Sequence, residues 1–272
     1  MTARELRAER LRLAYDAKVV VDELSVAIPI GKVTVIAGAN ACGKSTLLRS
    51  LARLLKPVAG TVLLDGADIF RMPTREVATR VGILPQSPTA PEGLTVADLV
   101  SRGRHPHQRW IRQWSPEDEA AIRAALEATG TADLATRVID ELSGGQRQRA
   151  WIAMALAQGT PIMLLDEPTT FLDLAHQVEV LDLLAGLNET EGRTVVLVLH
   201  DLNQACRYAH HLVAMARGCI VAEGQPAEIV DEQMVEEVFG LQCRVITDPV
   251  AGTPLVIPFA SRRPAVVLAG EA

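Results

Sequence analysis

Three observations predict an α/β fold organised around a phosphate-binding loop. The apolar run Val33, Val35, Ile36, Ala37 leads into a glycine loop and then into Leu47 and Leu48, which begin a helical pattern: strand, loop, helix. Further short apolar runs at residues 81–84, 162–165 and 194–199 read as buried strands, and each is followed by polar residues at its carboxyl end, where α/β sheets place ligands. Between the first two of these runs, residues 87–158 carry helical patterns and no convincing strand, so an inserted helical lobe is expected.

The chain begins with alternating runs at residues 10–15 and 19–21 and at Leu24, Val26 and Ile28, before Pro29 and Gly31 turn it. An antiparallel β region is therefore expected ahead of the loop. Tyr15, at the end of the first strand, is placed either to stack on a base or to serve as a plain edge aromatic. The loop itself reads Gly38, Ala39, Asn40, Ala41, Cys42, Gly43, Lys44, Ser45, Thr46 and satisfies G-x-x-x-x-G-K-[ST]. Its backbone N–H groups and the helix start behind it suit phosphate oxygens, Lys44 the β- and γ-phosphates, and the Ser45 hydroxyl a Mg²⁺ ion. A helix is expected over 45–55, stopped by Pro57, then a strand over 60–64 and a turn at Asp65-Gly66. Gln86 follows the strand at 81–84, at its carboxyl edge.

Within the helical stretch, Ser115-Pro116-Glu117-Asp118-Glu119 is a capped helix start, with Gly130 as the matching stop. Arg102 to Trp110 is basic, broken by proline and aromatic at its end, a composition suited to a partner surface. His105 and His107 lack the spacing of a helical metal pair. Leu142-Ser143-Gly144-Gly145-Gln146 then opens a helix expected over 147–158, a second anion-binding feature at a helix N-terminus.

The strand at 162–165 ends in Asp166-Glu167: one carboxylate to hold Mg²⁺, one to draw a proton from water. Asp173 caps a helix over 174–187, and His200 stands at the tip of the strand over 194–199. Asp201 caps a further short helix, strands follow at 212–216 and 219–223 around Arg217-Gly218, and a helix is expected over 233–239. Residues 245–247 and 255–257 are expected to pair, with a loose tail from about Ser261.

With 272 residues and 49% hydrophobic content the chain can bury a full core. No apolar run approaches the ~18–20 residues of a membrane span, and the start lacks a signal-peptide core, so a cytosolic or partner-carried chain is expected. A net charge of −6 argues against nucleic acid as partner. Four cysteines without a C-x-x-C pair imply reduced thiols, and Cys42 in the loop is expected to be open to alkylation.

The phosphate loop, Gln86, LSGGQ, LLDEP and His200, in this order and spacing, make residues 6–258 resemble an ABC-transporter ATPase subunit. The resemblance implies a P-loop NTPase with a RecA-like core (6–86 and 159–258), an antiparallel β region and an inserted helical lobe (87–158), followed by a tail at 261–272. It implies ATP and Mg²⁺ as ligands, Tyr15 on adenine, and Gln86 sensing Mg²⁺ and the γ-phosphate. Asp166 falls at the Mg²⁺ position, Glu167 at the general base, Asp173 in the D-loop and His200 at the switch histidine. Ser143, Gly144, Gly145 and Gln146 are the signature, which in that family completes the site of a second copy in a head-to-tail dimer. Separate transmembrane permease subunits and, indirectly, a substrate-binding protein are the implied partners, at the cytoplasmic face of the cell membrane. GRHPHQRWIRQWSPEDEAAI and TTFLDLAHQVEVLDLL resemble the branch importing ferric siderophores, haem and cobalamin, with ferric siderophore favoured. Two departures stand out. Ala39 and Ala41 replace the usual proline and glycine, and Thr170-Phe171-Leu172-Asp173 replaces the usual Ser-Ala-Leu-Asp.

Overall fold

The computed structural model describes residues 5–108 and 115–259. Two long antiparallel strands open the chain, β1 (Leu6–Tyr15) and β2 (Lys18–Ile28). The three short runs expected here are two continuous strands, because bulges with Arg10 (φ 46°) and Glu23 (φ 50°) absorb the breaks in alternation. Next come β3 (Val33–Gly38), α1 (Lys44–Leu51), β4 (Ala59–Leu64) and β5 (Ala67–Asp68). Helix α1 stops a turn before residue 55, since Arg53 takes a left-handed φ of 63° and leaves Leu54 exposed. Helix α2 (Thr74–Arg80) precedes β6 (Val81–Leu84); only Val77 of α2 is buried, so the sequence carries no apolar stripe to announce it.

Residues 87–158, where described, hold α3 (Val96–Arg102), α4 (Pro116–Ala128), α5 (Gly144–Ala157) and two 3₁₀ turns, with no strand. Ser115 caps α4 reciprocally: its hydroxyl accepts from Asp118 N–H, and the Asp118 carboxylate accepts from Ser115 N–H. The chain continues through β7 (Ile162–Asp166), α6 (Leu174–Glu191), β8 (Thr194–Val198), α7 (Leu202–Tyr208), β9 (His211–Ala216), β10 (Cys219–Gly224), α8 (Pro226–Ile229) and α9 (Glu232–Phe239). It closes with the expected hairpin, β11 (Cys243–Thr247) on β12 (Pro254–Pro258), in register Val245↔Val256. Residues 261–272, expected as a loose tail, lie outside the described residues.

The central sheet has the order β10-β9-β3-β8-β7-β6, in which β9, β3, β8, β7 and β6 are parallel. Its central parallel strands β3, β7 and β8 are buried on both faces, as parallel strands are. Ile36, Leu164 and Val196 face the antiparallel sheet and α1, while Val35, Leu165 and Leu197 face a second core shared with Leu99, Trp151 and Ile152 of the helices. Because the parallel strands point the same way, residue 38, Gln86, Asp166 and His200 all emerge on one edge.

The basic stretch is divided where it is described: Arg102 and His105 are exposed, while Arg104 and His107 turn inward. The Arg104 guanidinium bonds the Asp118 carboxylate at 2.8 Å and the carbonyl of Ala157 at 2.8 Å, and these two side chains are only 11% and 7% exposed. His107 Nε2 meets the carbonyl of Gln158 at 2.7 Å, and Arg75 donates to the carbonyls of Pro106, His107 and Gln108. Arg104 and His107 therefore hold the loop to the helices, and Arg102 and His105 are the basic residues it leaves exposed. Arg109 and Trp110 lie outside the described residues.

Candidate functional site

Strand β3 ends at Gly38, where an added Cβ would stand 2.1 Å from the carbonyl oxygen of Met215, so only glycine fits. The chain then loops through Ala41 (φ 60°) and Gly43 (φ 110°) into α1. Left-handed backbone at an alanine costs about 1–2 kcal/mol, which the loop carries where the family pattern has glycine. Lys44 arches back over this turn, its Nζ donating to the carbonyls of Gly38 and Ala39, both at 2.9 Å. The loop borders a cavity of about 1130 Å³ lined by Tyr15, Ala39, Asn40, Ala41, Gly43, Lys44, Ser45, Thr46, Gln86, Glu167 and His200. Cys42 is the exception in the motif. Its side chain is buried in the core beside α1, so the expected alkylation is corrected: the thiol is shielded from solvent.

Below the loop the Ser45 hydroxyl donates to Asp166 Oδ1 at 2.8 Å. Asp166 is almost wholly buried, and its Oδ2 has no hydrogen-bond partner. Burial, then the neighbouring Glu167 charge, push its carboxyl above the usual carboxylate range, against the Ser45 bond and the charges of Arg49 and Lys44. A buried carboxylate oxygen left open beside a serine hydroxyl is a hard-oxygen donor set, and it fits Mg²⁺.

One residue on, Glu167 takes a left-handed φ of 52°, which turns its side chain into the cavity mouth. Its Oε1 lies 2.6 Å from His200 Nε2 and its Oε2 accepts from Gln86 Nε2 at 2.7 Å. Three strand ends thus meet at a single carboxylate. The Thr170 hydroxyl approaches the same Oε2 at 3.4 Å.

The second anion-binding feature is elsewhere. Ser143 caps α5 by a reciprocal pair with Gln146, and the helix starts at Gly144, three residues earlier than expected, because this cap closes ahead of both glycines. Ser143, Gly145, Gln146 and Asp173 line a cavity of about 360 Å³ that shares no residue with the first. Gly144 sits beside Phe171. Asp173 caps α6, its Oδ1 accepting from His176 N–H. Phe171, in left-handed backbone (φ 69°), is 76% exposed at this rim, and Leu174 is exposed with it.

Several residues that no motif announced also belong here. Lys18, Arg217 and Phe239 line the first cavity. Buried Gln148 of α5 donates to the carbonyl of Pro168, next to Glu167, and Gln177 of α6 bonds Gln204 of α7. Single glutamines on helices have no spacing signature, so only the packed chain reveals them.

Among the described residues no helix is long and apolar enough to cross a membrane. Residues 21–170 match the ABC transporter family. The chain is 59% identical to the "Probable siderophore transport system ATP-binding protein YusV" of Bacillus subtilis (strain 168), over 95% of this chain and 94% of the relative. It is 55% identical to the ferric enterobactin transport ATP-binding protein FepC of Escherichia coli (strain K12), over 95% and 96%. A dimeric, post-hydrolysis ATP-binding cassette bound to ADP and Pi superposes with a TM-score of 0.71 at 28% identity, over 81% of this chain and 98% of that one.

Proposed function

Because the chain belongs to the ABC transporter family and is an ATP-hydrolysing subunit of it, we propose that it powers uptake of a ferric siderophore by an importer of the cell membrane. One observation carries the catalytic part: Glu167, gripped by Gln86 and His200, stands at the mouth of a phosphate loop. The high identity, over nearly the whole chain, to a probable siderophore and a ferric enterobactin transport ATP-binding protein supports the cargo.

ATP lies with its phosphates against the N–H groups of residues 38–46 and its base against Tyr15. Lys44 exchanges its two loop carbonyls for the β- and γ-phosphates, charge-assisted bonds worth about 1.5–3 kcal/mol each. Ser45, Asp166 and Gln86 would hold Mg²⁺, which when bound neutralises charge on the phosphate oxygens. Glu167 takes a proton from the attacking water, a positioned base being worth ~10²–10⁴ in rate. Gln86 and His200 fix the orientation of that carboxylate.

Ser143, Gly144, Gly145, Gln146 and Asp173 act on the other copy. The two cavities share no residue, so a head-to-tail pair, each signature facing the other's phosphate loop, uses both. ATP at the interface closes the pair and hydrolysis reopens it. Separate permease subunits carry the membrane helices, a substrate-binding protein delivers the chelate to them, and this chain sits peripherally on the cytoplasmic face.

The test is uptake of labelled ferric siderophores, haem and cobalamin by cells lacking this chain, complemented with wild type or Lys44→Ala. Rescue of a ferric siderophore by wild type alone is expected. Rescue of haem or cobalamin instead would overturn the cargo, and rescue by Lys44→Ala would overturn ATP dependence.

A further inference from the structure

Two functional loops of this chain carry their polar side chains in the open, although Leu172 anchors one of them in the core. His200 is 47% exposed, so its direction depends on the backbone that carries it into α7. The loop 170–173 has Phe171 in left-handed backbone and Asp173 exposed, and its internal bonds are few: Thr170 N–H to the Glu167 carbonyl at 3.2 Å and Leu172 N–H to the Thr169 carbonyl at 3.3 Å. Besides their shared contact with Glu167 through Thr170 and His200, a side-chain link through α6 and α7 joins the two loops. Gln177, in the first turn of α6, donates from Nε2 to the Leu172 carbonyl at 2.9 Å, and its Oε1 accepts from Gln204 Nε2 at 2.9 Å. Gln204 lies in the first turn of α7, where Asp201 Oδ1 accepts both its N–H and that of Asn203. On the far side, Asn203 holds the C-terminal hairpin by two bonds to Val256, so α7 is gripped on both flanks.

From these contacts we propose that Gln177 and Gln204 are a positioning pair that connects the loop 170–173, facing a second copy, to His200, facing this chain's own phosphate site. The proposal rests on the head-to-tail reading above. Any shift of the loop on meeting a second copy moves the Leu172 carbonyl, hence the Gln177 amide, hence Gln204 and the start of α7. His200 then moves relative to Glu167. Both glutamines are half-buried, where two apolar side chains would pack as well but would give no directional bond. Each site therefore registers the state of the other through two hydrogen bonds within one chain.

The test uses the full chain and measures steady-state ATP hydrolysis against ATP concentration. Wild type is expected to be sigmoidal, with a Hill coefficient approaching the site count of about 2. Gln177→Leu and Gln204→Leu should each bring it to about 1, and the double variant should be no lower than either single. Gln204→Lys, which restores a donor toward Gln177 Oε1, should recover part of the cooperativity. Sizing with ATP in a Glu167→Gln background should show dimer with or without Gln204→Leu. Wild-type cooperativity in both leucine variants, no cooperativity in a dimeric wild type, or loss of cooperativity only together with loss of the dimer would overturn the link. A Glu167→Gln chain that stays monomeric with ATP would instead remove the head-to-tail reading, and the pair with it.

Discussion

Ala41→Gly should stabilise this protein, an unusual direction for a substitution in a nucleotide loop. Ala41 holds φ at 60°, and its side chain is exposed, so removing the methyl group forfeits no packing. Left-handed alanine costs about 1–2 kcal/mol relative to glycine. Glycine returns part of this, about 0.4–1 kcal/mol, through its greater freedom in the unfolded chain. The net gain is about 0.5–1 kcal/mol, or roughly 1–3 °C in melting temperature for a chain of this size. Thermal unfolding of the ligand-free chain reads it, with Ala41→Val as the opposite control, since a β-branched residue is an outlier in this region. The thermal shift on adding ATP should be no smaller in Ala41→Gly than in wild type. A melting temperature below wild type for Ala41→Gly, or an unchanged one for Ala41→Val, would refute the strain reasoning.

Glu167→Gln should lower hydrolysis by ~10²–10⁴ while leaving ATP binding intact, read by turnover and by ATP-driven dimerisation on sizing. Asp166→Asn removes a buried carboxylate whose pKa is raised by burial, a group that costs stability above its unfolded pKa; the ligand-free variant should melt higher, yet lose about 10²-fold or more in Mg²⁺-dependent turnover. Arg104→Ala breaks a buried pair and should destabilise by about 3–5 kcal/mol, measured by denaturant titration. Burial raises the Asp118 pKa, but bonds from Arg104 and Ser115 outweigh it and hold the carboxyl below its ordinary value. The stabilisation from that pair is thus full above the unfolded pKa of about 3.9 and fades as pH falls through the folded value, so Arg104→Ala and wild type should converge in acid.

What could be read from sequence was contiguous in the chain. Strand, loop and helix at 33–48 occupy consecutive residues, so G-x-x-x-x-G-K-[ST] was legible without knowing what surrounds it. Asp166 and Glu167 are adjacent, and the caps of Ser115, Asp173 and Asp201 reach only two or three residues along the chain. Local spacing and the apolar period determine such features, since their partners are close by construction. Which residues of the basic stretch stay exposed was not legible, because charge composition does not say which way an arginine turns: Arg104 is held inward while Arg102 and His105 face solvent. Asp118, which pulls Arg104 inward, is a capping residue whose second oxygen was free to take a salt bridge. Tertiary structure alone decided that Gln86, Glu167 and His200 meet at one carboxylate, because that follows from the order of β6, β7 and β8 in the sheet. It alone divided the site residues between two cavities and joined Gln177 to Gln204 across 27 residues. A hydrogen bond between side chains on different elements leaves no periodicity in either one, so packing has to bring the two helices together before the bond can be seen.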